Sequence, residues 1–158
     1  GVAVPHYLTD SVPKIRDGIV VAKRDLLVVF VGTKRRGIRE MLIEAHDKWH
    51  ESAHSLLRSR VLVSEKLESK EAFKLVMSRS DFCLIPHGDG RWNFRWTEAL
   101  YEGCIPVVIA DGISSPWAPL LNYSAFGLQL EESRMGDFQT GVLDPLLGVS
   151  ETEKQVMR

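Results

Sequence analysis

"FCLIPHGDGRWNFRWTEALYEGCIPVVIADG", residues 82–112, decides the fold. Its first apolar run ends at Pro86, a polar loop with two glycines follows, and a second apolar run, "IPVVIA", covers 105–110. Both runs are continuous rather than alternating, which suits strands covered on both faces in a parallel sheet. Between them Trp96, Ala99, Leu100 and Gly103 recur at helical spacing. Strand, helix and strand make a βαβ unit.

The same grammar extends outward. "VAV" (2–4), "LLVVFV" (26–31), "RVLV" (60–63) and "FGLQL" (126–130) are further short apolar runs. Ile38, Met41, Leu42, Ala45, Trp49, Ala53 and Leu56 trace one helical face. "SKEAFKLVMSRS" (69–80) opens on a capping Ser69 and offers Ala72, Phe73, Val76 and Met77 to a core. The expected fold class is therefore α/β, a Rossmann-like three-layer α/β/α domain with a mostly parallel sheet. One domain fits residues 1–158. Residues 1–24, with two prolines and no clean period in 5–24, read as a connector, and about 131–158 as a final helix and loose tail.

Composition is globular, 44% hydrophobic and 26% charged, and the formal net charge is −1. No overall field points to nucleic acid or an acidic membrane surface. The first residue is Gly, so the chain reads as cut from something longer. Cys83 and Cys104 are too few for a disulfide scaffold or a four-cysteine zinc site. Each lies near the start of a predicted strand, which leaves two buried thiols or a bridge, with the thiols preferred.

Ligands of open α/β sheets bind beyond the carboxyl ends of the strands, at helix starts. Asn93 is a good N-cap and would put Phe94, Arg95 and Trp96 in the first turn of the helix. The free N–H groups there favour an anion such as a diphosphate, and the Arg95 fork matches phosphate oxygens. Glu98, three residues on, shares the face of Arg95 and could accept ribose hydroxyls. The competing reading is an ordinary salt bridge between the two. A second anion-friendly loop runs from Gly32 to Gly37 around "TKRR", with Lys34, Arg35 and Arg39 at hand. His46 and His50, with Asp47 between them, have the spacing of a zinc-binding helix, and His54 extends the row. Without a further ligand nearby, a histidine-lined solvent edge is the preferred reading.

The stretch 82–112 resembles the exostosin family of glycosyltransferases, family 47. Phe82, Cys83, Leu84, Pro86 and Gly88 match its first segment; Phe94, Arg95, Glu98, Ala99, Leu100, Gly103, Cys104, Pro106, Val107 and Asp111 match its second. The weaker likeness outside it reaches about residue 130. The resemblance implies one half of a GT-B architecture, the C-terminal one that binds a nucleotide diphosphate sugar, usually a uridine (UDP) one. It implies inverting transfer to a glycan acceptor, in the Golgi or ER lumen, within a type II membrane protein. Carried over, Arg95 meets the diphosphate and Glu98 the ribose. Gly32 with Arg35 and Arg39 faces the sugar phosphate, and Pro86, His87 and Gly88 frame the base. No cofactor or metal is required, since GT-B enzymes do without the DxD motif. The acceptor-binding half and the catalytic base would lie outside this chain. Asn93 and His87 depart from many members, which keeps a second reading open, a non-catalytic scaffold beside a homologous transferase subunit.

Overall fold

Continuous apolar strands need cover on both faces, and the sheet here has it. The computed structural model describes residues 23–87, 94–112 and 120–158, together with the backbone of 14–16 and 19–21. Near the start, β1 (Lys14–Arg16) and β2 (Ile19–Val21) pair antiparallel, with Arg16 opposite Ile19. The stretch read as a connector therefore holds a short hairpin. The Asp17-Gly18 dipeptide between the strands is the sequence signal for one.

Among the described residues the main sheet has five strands, all parallel: β3 (Leu26–Val31), β4 (Val61–Ser64), β5 (Ser80–Pro86), β6 (Ile105–Ile109) and β7 (Leu128–Leu130). Their order is β4-β3-β5-β6-β7. From β3 the chain moves outward to β4, then crosses back over β3 to β5 and continues the other way. This reversal makes the carboxyl ends of β3 and β5 the topological switch point of the sheet.

Helices cover both faces. The link from β3 to β4 carries α1 (Ile38–Ser52) and α2 (Ser55–Arg58); α3 (Lys70–Ser78) precedes β5, and α4 (Arg95–Tyr101) precedes β6. α5 (Asp144–Leu147) and α6 (Glu151–Met157) close the chain. Phe82 and Leu84 of β5 join a core layer with Leu42 of α1. Cys83 and Ile85, pointing the other way, join Met77 of α3 and Trp96 and Ala99 of α4. Each fully buried aliphatic or aromatic side chain contributes about 1.5–3 kcal/mol, so both layers are needed to hold the sheet.

Several expectations are corrected. Met41, Leu56 and Leu100, placed on core stripes, are exposed. Leu56 leaves the stripe because α1 stops at Ser52, Ala53 is extended, and His54 caps the separate α2. The closing segment, expected as a final helix and loose tail, ends in the helix α6 and carries short buried turns before it. A π-helical turn, Gln139–Leu143, and α5 send Val142, Leu143 and Leu146 into the core beside Phe138. Its weak helical period in the sequence follows from this mixture of short turns.

Cys83 and Cys104 are not free thiols. They form a disulfide with Cα atoms 5.9 Å apart. Register explains it, since β5 and β6 are neighbours and Cys83 lies opposite Pro106, close to where Cys104 leads into β6. Gly103, at φ 65, lets α4 end in a Schellman turn, in which the Gly103 N–H donates to Leu100 and the Cys104 N–H to Ala99. The disulfide thus ties the capped end of α4 to the central strand β5.

Candidate functional site

At the carboxyl ends of β3, β4 and β5 lies an open cavity of about 1060 Å³ that runs between α3 and α4. Gly32 and Thr33 follow β3, Glu65 to Ser69 follow β4, and Pro86 ends β5; all line it. Short strands that stop together, each followed by a polar loop, leave this hollow at the switch point.

Arg95 and Glu98 of α4 both line the cavity. They also pair with each other, Arg95 Nη1 lying 3.5 Å from Glu98 Oε2, with side chains 40% and 52% exposed. The two readings offered by the spacing therefore hold together: a salt bridge, and a face turned to the crevice. Arg95 Cζ further stands 4.2 Å from the centre of the Phe73 ring on α3. The helix starts one residue later than its predicted cap implies. Phe94 precedes its first residue without a side-chain cap bond, and Asn93 lies outside the described residues.

From the other candidate region, Gly32 of the loop and Arg39 in the first turn of α1 reach the cavity but Arg35 does not. The Gly32 N–H donates to the Ser64 carbonyl at 3.0 Å. A Cβ at Gly32 would come within 3.0 Å of the Phe30 ring, so a larger residue would crowd this corner. Arg39 has its Nε buried with no hydrogen-bond partner among the described residues. Such a donor carries a desolvation cost unless an oxygen meets it. Lys34 is turned onto α1, 3.0 Å from Glu44 Oε1.

Pro86 lines the cavity, but His87 does not; Gly88 lies outside the described residues. The His87 imidazole meets Glu132 at 3.2 Å. Glu132 also accepts from the Asp111 N–H, while the Asp111 carboxylate accepts from the Glu132 N–H. His87 thus braces the segment after β7.

Sequence reading missed the loop after β4 and the inner face of α3. Glu65, Lys66, Glu68, Lys70, Phe73 and Lys74 all line the cavity. Position alone could have found the loop, because it leaves a strand neighbouring the switch point. Phe73, which the helical spacing offers to a core, also lines the cavity.

The histidine row divides. His46 is buried against Phe138 and bonds Asp47 through Nδ1 at 3.1 Å, whereas His50 and His54 are exposed. The expected solvent edge thus fails at His46, whose neighbours on the closing segment were not visible in the helical period. His54 lies off the helix in its capping role. Among the described residues no group of three or more potential ligands gathers.

A doubly wound parallel sheet with a crevice at its switch point defines a Rossmann-like α/β domain. The Exostosin GT47 domain family model matches residues 1–142, and the chain belongs to that family. It is 26% identical over 139 residues to a probable glycosyltransferase of Arabidopsis thaliana, covering 88% of this chain and 28% of the relative. It is 29% identical over 147 residues to the probable glucuronoxylan glucuronosyltransferase IRX7 of the same plant, covering 85% and 31%. The shorter match to the probable beta-1,4-xylosyltransferase IRX10 of that plant is 39% identical over 64 residues, covering 40% and 16%. The chain thus spans about a third or less of the length of these relatives.

Proposed function

We propose that this chain is the donor-binding half of an inverting glycosyltransferase of GT-B architecture, which takes a UDP-sugar and passes the sugar to a glycan acceptor. The observation that carries the reading is convergence. Gly32 after β3, Arg39 at the start of α1, and Arg95 and Glu98 from α4 meet in one crevice at the switch point. Relatives named as glucuronosyl- and xylosyltransferases support glycosyl transfer as the chemistry.

In this reading Arg95 and Arg39 hold the diphosphate and Glu98 accepts the ribose hydroxyls. Gly32 keeps the backbone close to the sugar phosphate, and Pro86 borders the base. During transfer the acceptor hydroxyl gives its proton to a base, and its oxygen bonds the anomeric carbon from the face opposite the diphosphate. The bond to the diphosphate breaks, and the leaving group gains charge. Fixed guanidinium groups stabilise that charge more in the transition state than in the bound donor. The acceptor site and the base are assigned to the other half of the full-length enzyme. The Cys83–Cys104 disulfide supports an oxidising compartment, in keeping with the Golgi or ER lumen.

Calorimetric titration of the chain with UDP tests the reading. Binding should be saturable, and Arg95→Ala should weaken it by at least about tenfold, the loss of a charge-assisted pair. Absence of binding, or an Arg95→Ala variant that binds like wild type, would refute it.

A further inference from the structure

We infer that Phe73 is a positioning residue for the diphosphate site, fixing the plane of the Arg95 guanidinium; the role rests on the donor-binding reading above. Arg95 is the first residue of a seven-residue helix with no side-chain cap. An exposed arginine in that place loses rotamer freedom when it binds a ligand. Glu98, 3.5 Å from Nη1, and the Phe73 ring, its centre 4.2 Å from Cζ, both restrain it here. The second costs no hydrogen-bond donor. A ring under the flat face is attracted through its quadrupole, while the N–H groups lie in the guanidinium plane, directed at oxygens.

Phe73 itself is well held. It packs on the core layer that contains Val76 and Met77 of its own helix, both buried. Phe73, Arg95 and Glu98 all line the one cavity, so the ring orients the fork inside the crevice rather than on an outer surface. Phe73 touches the ligand through Arg95, and its effect is confined to the phosphates.

The test uses the chain with Phe73→Leu and Phe73→Tyr, titrated with UDP and separately with uridine. Phe73→Leu should weaken UDP by roughly fivefold and leave uridine within about twofold, while Phe73→Tyr restores UDP affinity. Without nucleotide, the NMR signals of the Arg95 side chain should carry a ring-current shift that Phe73→Leu abolishes and Phe73→Tyr keeps. Phe73→Met serves as a second apolar variant if Leu lowers the thermal midpoint. Equal losses for UDP and uridine, or full UDP affinity in Phe73→Leu, overturn the positioning role alone. A wild-type chain that binds no UDP overturns the donor reading and this role together, even with the ring-current shift intact.

Discussion

Arg95 and Glu98 stand one helical turn apart, 3.5 Å from each other, and both face the crevice between α3 and α4. An exposed pair at this spacing stabilises the fold by only about 0.3–0.5 kcal/mol. Its removal should therefore leave stability nearly unchanged and act on binding instead. Glu98→Gln should shift the urea midpoint little, weaken UDP several-fold, and leave the affinity for 2′-deoxy-UDP close to that of wild type. An equal loss for both nucleotides would separate Glu98 from the ribose.

The disulfide acts on the same helix from its other end. Cys83 and Cys104 are 21 residues apart in sequence, and closing a loop of that size stabilises a fold by about 3 kcal/mol. Cys83→Ala with Cys104→Ala should lower the unfolding free energy by about 2–4 kcal/mol. Amides of α4 should exchange faster than those of α1, which has no link to the bridge. Uniform acceleration across both helices would show that the bridge supports the whole domain and has no special hold on α4.

Strands were the most legible part of the sequence. "LLVVFV" is β3 residue for residue, because a doubly covered parallel strand leaves an unbroken apolar run. Ser69 caps α3 as read, its hydroxyl accepting from the Ala72 N–H at 3.0 Å. Before its final helix the closing segment was illegible, because its buried residues sit on short turns of differing pitch, which share no single period. At the site, Gly32, Arg39, Pro86, Arg95 and Glu98 could be read from loop position and chemistry. Phe73 could not, since a residue at a helical core position looks the same whether it fills a core or lies under an arginine. Nor could the partner of His87, which lies 45 positions away at Glu132 and meets it only through the fold.

His46 gives the domain a pH dependence. Burial holds its imidazole below the usual 6.5, against an opposing pull from Asp47, and nearby His50 lowers it further. The unfolded chain takes up a proton near 6.5 while the folded chain resists it. Stability should thus be full above that value and fall as pH drops from it toward the lowered folded value. The slope is at most about 1.4 kcal/mol per pH unit for one group. Urea midpoints measured from pH 7.5 to 5 should decline in wild type and flatten in His46→Gln. A decline of the same size in the variant would assign the effect to other groups.

Asp81 is where α6 is fastened to the sheet. Its carboxylate is nearly buried at the start of β5 and accepts from Lys154 Nζ at 3.0 Å and from Arg158. Lys154 is equally buried, and its other acid, Glu151, lies mostly in solvent at 2.6 Å. Removing one member of such a pair leaves a buried charge without its compensation, at a cost of about 3–5 kcal/mol. Asp81→Ala should therefore destabilise strongly, although the pair itself adds little over an apolar substitute. Asp81→Ala combined with Lys154→Met removes the orphaned ammonium and should recover most of the loss, a coupling that denaturant titration of the two single variants and the double variant measures directly. If the double variant is as unstable as the sum of the singles, Lys154 does not depend on Asp81.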